Sequence, residues 1–193
     1  MTGQVDLDSY ADAGVLAAVE LVNALATAEP TPKAELLDTL RGVLAVDPPS
    51  VARLRPGDAP GFLALARALR RVFLDLHDDD VDAAASGLNG LLAKHPAHPH
   101  LAKEDGRWRL HHHPTDVAVV PMWTAICAEA LARMLGAGHG DRLGTCEAPG
   151  CGRVFFDVSK NASRRFCSTT CQNRVKAAAF RLRRSRRTRK PRR

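Results

Sequence analysis

The sequence predicts a mainly α protein in two parts. A helical N-terminal domain with a small β-hairpin comes first, followed by a treble-clef-like finger (knuckle, β-hairpin, helix) and a basic tail. Three observations predict this: apolar residues recur at helical spacing in five stretches before residue 136, four of the five cysteines fall between Cys146 and Cys171, and charge is divided along the chain. Residues 146–193 hold 15 of the 28 Lys and Arg but only Glu147 and Asp157 among the 21 acids, a local balance of +13 against −6 for residues 1–145. With 193 residues, 45% of them hydrophobic, the chain can build one ordinary core plus a small appendage.

The first helix runs from Val15 to Ala26, with Val15, Leu16, Val19, Val22 and Leu25 recurring at helical spacing, and Pro30 and Pro32 end it. "KAELLDTLRGVLAV" repeats the pattern through Leu36, Leu37, Leu40, Val43 and Leu44 until "DPPS" stops it. A third helix starts near Pro60 and places Leu65, Leu69, Val72, Phe73 and Leu76 on one face. A fourth spans Val81–Lys94 through Leu88, Leu91 and Leu92, after Asp78, Asp79 and Asp80 supply the N-cap and first-turn acids. Asp105-Gly106 signals a two-residue hairpin turn between short segments holding Leu101, Trp108 and Leu110. The fifth and longest helix spans about Asp116–Leu135, with Val119, Trp123, Ile126, Ala130 and Met134 on one stripe, and "GAGHGDRLG" reads as a linker. The expected organisation is therefore a helical domain over 1–135, a Gly-rich linker over 136–145, a finger over 146–184 and an Arg-rich tail over 185–193.

The helical part offers no phosphate loop, no Gly-x-Ser-x-Gly elbow and no paired carboxylates at helical spacing beside an apolar pocket, so the protein is not expected to be an enzyme. His95, His98, His100, His111, His112 and His113 crowd the hairpin, and a polar loop punctuated by Pro96, Pro99 and Pro114 explains them better than a metal site. Cys127, within "MWTAICAEALARML", reads as a core thiol. Asn23 and Asn89 sit in apolar helical stretches, where a satisfied internal hydrogen bond is a better reading than a ligand pocket. No run approaches 18 consecutive apolar residues and the first residues lack a secretory pattern, so no membrane partner is expected and the expected location is cytoplasmic, nucleoid-associated.

Cys146 and Cys151 enclose four residues, Cys167 and Cys171 enclose three, and 15 residues separate the pairs. Each short interval lets two sulfurs converge, so four thiolates can surround one zinc ion. The segment has few large apolar residues (Val154, Phe155, Phe156, Val158 and Phe166), and so small a unit needs a staple. Pro149, Gly150 and Gly152 suit a tight knuckle, "RVFFDVS" and "RRFC" read as two strands around "KNAS", and Ser168 or Thr169 caps the helix that follows. Four cysteines leave no open ligand position, so the zinc is expected to be structural.

At 100° per residue, Cys171, Val175, Ala178, Ala179 and Leu182 share one face of that helix, and Asn173, Lys176, Phe180, Arg184 and Arg187 share the opposite one. The first face is expected to cover the metal and hairpin, with packing ending near Arg183 and "SRRTRKPRR" forming a loose tail. The cationic face, with Arg174, Arg181 and Arg183, is expected to meet duplex DNA, because arginine clamps phosphate and reads guanine edges and an α-helix fits the major groove. Two other readings stand beside this one: an RNA-binding module stacking bases on Phe180 and Phe166, and a protein-interaction adaptor on a rigid finger.

The segment "CEAPGCGRVFFDVSKNASRRFCSTTCQNRVKA" resembles the CGNR-type zinc finger, sharing its cysteine spacing and an F-x-D-x-S-x-N-x-S-R-R frame met here by Phe155, Asp157, Ser159, Asn161, Ser163, Arg164 and Arg165. The upstream part, opening with "ELVNALA", resembles the ABATE domain that precedes this finger in bacterial stress-induced transcription regulators. The resemblance implies that Cys146, Cys151, Cys167 and Cys171 hold zinc, that the finger binds DNA, and that the helical domain senses a small-molecule or protein effector. Gln172 stands where the name-giving glycine belongs, and Phe166 where tryptophan is expected, while Asn173 and Arg174 are retained. Those two are candidates for base contact, or for structural roles: Asn173 capping a knuckle carbonyl and Arg174 pairing with Asp157.

Overall fold

A computed structural model describes residues 9–27, 33–104, 106–111 and 116–188. Among these residues seven α-helices and two short antiparallel sheets follow one another as α1 (Ser9–Leu25), α2 (Lys33–Val43), α3 (Pro48–Arg53), α4 (Ala59–His77), α5 (Val81–Lys94), β1 (His100–Glu104), β2 (Arg107–His111), α6 (Val119–Gly136), β3 (Leu143–Thr145), β4 (Val154–Phe156) and α7 (Thr169–Thr188). The five helices expected from periodicity are α1, α2, α4, α5 and α6. Pro30 and Pro32 fall outside the described residues.

Helix α6 runs through the centre, packed by α1, α4 and α5. Val119, Trp123, Ala130 and Met134 of the expected stripe are buried, and so are Met122, Thr124, Ala125, Cys127, Ala128 and Leu131 from its other sides. Its length and composition alone would let it cross a membrane, and here it fills a protein core. Burial pushes the Cys127 thiol up to about 12, as a desolvated thiol requires. Asp80 caps α5 by accepting the Ala83 N–H at 3.0 Å. Asn89 is exposed.

"DPPS" does end α2, after one 3₁₀ turn over Leu44–Val46, but it also begins α3, a helix not anticipated from the sequence. Proline at the first helical positions lacks an N–H that would have no partner there, so the same residues stop one helix and start the next. Buried Ser50 of α3 accepts the Trp123 indole N–H at 2.9 Å, tying α3 to α6.

The hairpin β1–β2 forms in the register His100↔His111 through Glu104↔Arg107, and Gly106 takes the left-handed turn position at φ 79°. Leu101, Trp108 and Leu110 remain exposed. Only part of the histidine group is described, since His112 and His113 fall outside. The His100 and His111 rings stack with centroids 5.4 Å apart, and His100 Nδ1 donates to the His98 carbonyl.

The second sheet corrects two expectations. The segment read as a linker folds into a 3₁₀ turn over Gly140–Arg142 and then strand β3, whose partner is β4 in the register Leu143↔Phe156, Gly144↔Phe155, Thr145↔Val154. "RRFC" is not a strand, and a single backbone bond, Glu147 N–H to the Arg165 carbonyl at 3.0 Å, lays it along the knuckle. The hairpin therefore brackets the first cysteine pair rather than following it. β3 packs on α4 and β4 on α1, so Leu143, Val154 and Phe156 join the helical core. Gly144 is required by this packing, since a Cβ there would lie 2.6 Å from Cζ of Phe155. Asn23 closes the seam: its side-chain amide donates to the Val154 carbonyl at 3.0 Å and its carbonyl accepts the Val154 N–H at 2.9 Å, as a neighbouring strand would.

Candidate metal centre and nucleic-acid interface

Strands β3 and β4 deliver Cys146 and Cys151 on a tight turn whose geometry glycine makes available. Gly150 and Gly152 adopt φ of 73° and 64°, conformations that cost a side-chain-bearing residue about 1–2 kcal/mol. Cys146 N–H bonds the Arg153 carbonyl at 2.8 Å and Cys151 N–H the Ala148 carbonyl at 3.0 Å. Cys167 and Cys171 arrive from the opposite side, at the start of α7. There Ser168 is the N-cap, its Oγ accepting the Cys171 N–H at 3.2 Å.

The four sulfurs lie within 4.8 Å of one another. Cys151–Cys167, Cys167–Cys171 and Cys171–Cys151 Sγ separations are 3.6, 3.7 and 3.6 Å. A tetrahedral ion with Zn–S bonds of about 2.3 Å sets its sulfurs about 3.8 Å apart, so the cluster has the size and donor set of one structural zinc site. Among the described residues this is the one group of potential ligands gathered closely enough to hold a metal. Burial pushes Cys167 up to about 12 and raises Cys151, so a nearby cation favours their ionisation, while the Ser168 hydroxyl holds Cys171 down at about 7.

Residues of the F-x-D-x-S frame build the support. Asp157, 1% exposed, accepts the Ser159 N–H at 2.8 Å and the Arg164 N–H at 2.7 Å, folding 157–164 into a compact turn. Burial pushes its carboxyl up, but the Arg164 and Ser159 donors and the Arg142 charge outweigh burial and hold it below its ordinary value. Arg164 caps three carbonyls, of Phe156, Phe166 and Cys167, with its guanidinium 5.0 Å over the Phe155 ring. Arg165 binds Glu147 through both carboxylate oxygens, which lowers the Glu147 carboxyl. Of these supporting residues only Asp157 was given a role from the sequence, as the partner of Arg174, although the frame residues themselves were visible there.

Arg174 takes a place different from the one expected. It donates to the knuckle carbonyl of Pro149 at 3.3 Å and approaches Cys171 Sγ at 3.9 Å, so it performs the capping assigned to Asn173, and Asp157 has other partners. Asn173 is exposed. Gln172 is helical, with its N–H on the Ser168 carbonyl at 3.1 Å, so no positive φ is needed where the finger's name places glycine.

Helix α7 does not pack as its apolar stripe predicts. Val175 is half-buried, but Ala178, Ala179 and Leu182 are exposed, as are Lys176, Phe180, Arg181, Arg183 and Arg184. Nor does it end near Arg183: the helix continues through Thr188, taking in Arg187, and only 189–193 of the expected tail fall outside the described residues. The result is a 20-residue helix with seven Lys and Arg and no acid, fixed at its first turn by the sulfurs and with most of its residues exposed.

Fold and site together define a zinc-finger protein whose finger is sealed onto a helical domain. Residues 142–184 match the CGNR zinc finger family. Residues 17–138 match the ABATE family, described as "Putative stress-induced transcription regulator", and the chain belongs to that family. Both descriptions are of regulators or zinc fingers, not enzymes. No curated protein matches the chain.

Proposed function

We propose that the protein is a zinc-dependent, DNA-binding transcription regulator acting at the nucleoid in a bacterial cytoplasm, with α7 and the arginines beyond it as the DNA-contacting element. One observation carries this reading: a helix whose charged residues are all cationic is held at its first turn by the metal centre and leaves most of its residues exposed. A solvated charge run needs no such anchor. The ABATE family description supports regulation as the purpose, and the helical domain would be the sensing part. A cavity of about 530 Å³ at the seam between the two parts, reached by His77, Asp141, Leu143, Glu147, Phe155 and Arg165, is of a size for a small effector.

The test is a salt titration of duplex binding by the zinc-loaded chain. Neutralising Z phosphates gives a slope of about −0.9Z in log K against log salt. No binding to any duplex at about 50 mM salt defeats the proposal. Phe180, 54% exposed, also offers a stacking surface for unpaired bases, so preference for single-stranded RNA over duplex in competition would favour the RNA reading instead.

A further inference from the structure

The sequence alone spreads nucleic-acid contacts over Asn173, Arg174, Lys176, Phe180, Arg181, Arg183, Arg184 and Arg187, centred on the outward face around Phe180, Arg184 and Arg187. The fold sets two of these, Lys176 and Arg183, on a surface of their own. A groove of about 610 Å³ runs between segment 163–168 and the first four turns of α7, and Lys176 and Arg183 line its helical wall, with Ala179 between them and Gln172 one turn before Lys176. Ser163 and Thr169 contribute hydroxyls to the lining, and Val175 and Phe166 contribute apolar surface. No lining residue is acidic.

The cations of the groove divide by what already engages them. Arg164 is committed to three backbone carbonyls and Arg165 to Glu147, so both hold the wall in place. Lys176 and Arg183 are exposed on α7, with no acid along the groove to neutralise them. They stand seven residues apart, about 10 Å along the helix axis, a span of roughly three phosphate steps at 3.4 Å of rise per strand. Position 186 continues the same stripe one turn further on, and it is also an arginine. A concave surface lined by one sign of charge, with low-dielectric walls, focuses potential more strongly than a convex helix face carrying similar charges.

We infer that this groove, rather than the outward face of α7, seats the phosphodiester backbone of the bound nucleic acid, with Lys176 and Arg183 taking phosphates and the Ser163 and Thr169 hydroxyls donating to their oxygens. The inference rests on the proposed function and names the surface that performs it. Gln172 then lies within the contact, and its amide fills space that glycine would leave open.

Ala177 and Ala179 make the test clean. Both are exposed and both are in mid-helix, but they lie on nearly opposite sides of α7, with Ala179 in the groove. Zinc content and helicity should be unchanged in Ala177→Glu and Ala179→Glu. With a random-sequence duplex, Ala179→Glu is expected to weaken binding at least tenfold more than Ala177→Glu. The double variant Lys176→Gln, Arg183→Gln is expected to reduce the salt slope by about 1.8, the contribution of two phosphates. Equal effects of the two glutamates, or an unchanged slope while the unmodified chain still binds, overturns the groove assignment and returns contact to the outward face. A wild-type chain that binds no duplex overturns the parent proposal and the groove with it.

Discussion

Helices α6 and α7 are nearly the same length, 18 and 20 residues, and are held in opposite ways. α6 is apolar on most sides and is fixed by packing along its whole length. α7 carries seven like charges, buries almost nothing, and is fixed at one end by four sulfurs. A helix held by packing is useful as a foundation because most of its surface is covered. One held by a single coordination centre leaves nearly all its surface exposed, and its order depends on the metal.

The strongest way to break that comparison is to remove the zinc. Structural zinc contributes on the order of 10–16 kcal/mol of apparent binding free energy to a small finger. Most helical stability in proteins comes from packing of a buried face, which α7 lacks, and its like charges repel one another along the helix. Chelation, or Cys171→Ser, is therefore expected to abolish helicity over about 20 residues in far-UV circular dichroism and, on the proposed function, to lower duplex affinity at least 100-fold. The cooperative unfolding of α1–α6 should persist, because Leu143, Val154 and Phe156 belong to the body's own core. Undiminished helicity in strong chelator would mean that α7 has support other than the metal.

The next effect falls on the foundation. Leu131 of α6 is fully buried, and Leu131→Ala should cost about 2–5 kcal/mol in chemical unfolding without changing zinc stoichiometry. Phe180→Ala in α7 should change that unfolding by no more than about 0.5 kcal/mol. Similar costs at the two positions would contradict the exposure described for α7.

Between the two regimes lies the seam, and Asn23 is its most exacting contact. Asn23→Ala removes both partners of Val154 at a half-buried position, and an unsatisfied buried backbone group costs about 1–3 kcal/mol. Unfolding should be destabilised in that range while the purified chain retains one zinc. A loss of metal instead would show that knuckle geometry depends on the helical domain.

How much of this was legible follows from which forces are local. Helical period, the Asp80 cap and the Asp105-Gly106 turn are local, and they placed five helices and one hairpin correctly. Cysteine spacing is local to each pair, and it gave the metal set. The pairing of Leu143 with Phe156 is not local, because three residues in a glycine-rich stretch carry no alternation, and only the closed knuckle brings them to their partner. The packing face of α7 was misread for another reason: three of the stripe's residues beyond Cys171 are small or lone, and alanine marks helix propensity as readily as burial. Asn23 was recognisable as a residue in need of partners, but its partner 131 residues away was not.

The smallest expected effect, and the finest test of the join, is the pH dependence carried by Asp157. Its N–H bonds the Arg142 carbonyl at 2.7 Å and the Arg142 side chain donates to its own carbonyl at 2.9 Å, so this residue stands where the body hands over to the finger. Because donors outweigh burial, the folded carboxyl titrates below its unfolded value of about 3.9. The folded state then binds fewer protons than the unfolded state between those two values. Its contribution is full above the unfolded value and is lost as pH falls through the folded one. Asp157→Asn keeps the shape but sets an amide NH₂ against one of two N–H donors, so the wild type should be the more stable of the pair at neutral pH. That gap should hold steady from about pH 8 to 5 and narrow below 4, and any protonation of the zinc thiolates should act on both chains alike. A gap that widens with acid would mean that burial wins and the carboxyl is raised, leaving the join to be held by Arg142 and the strand pairing alone.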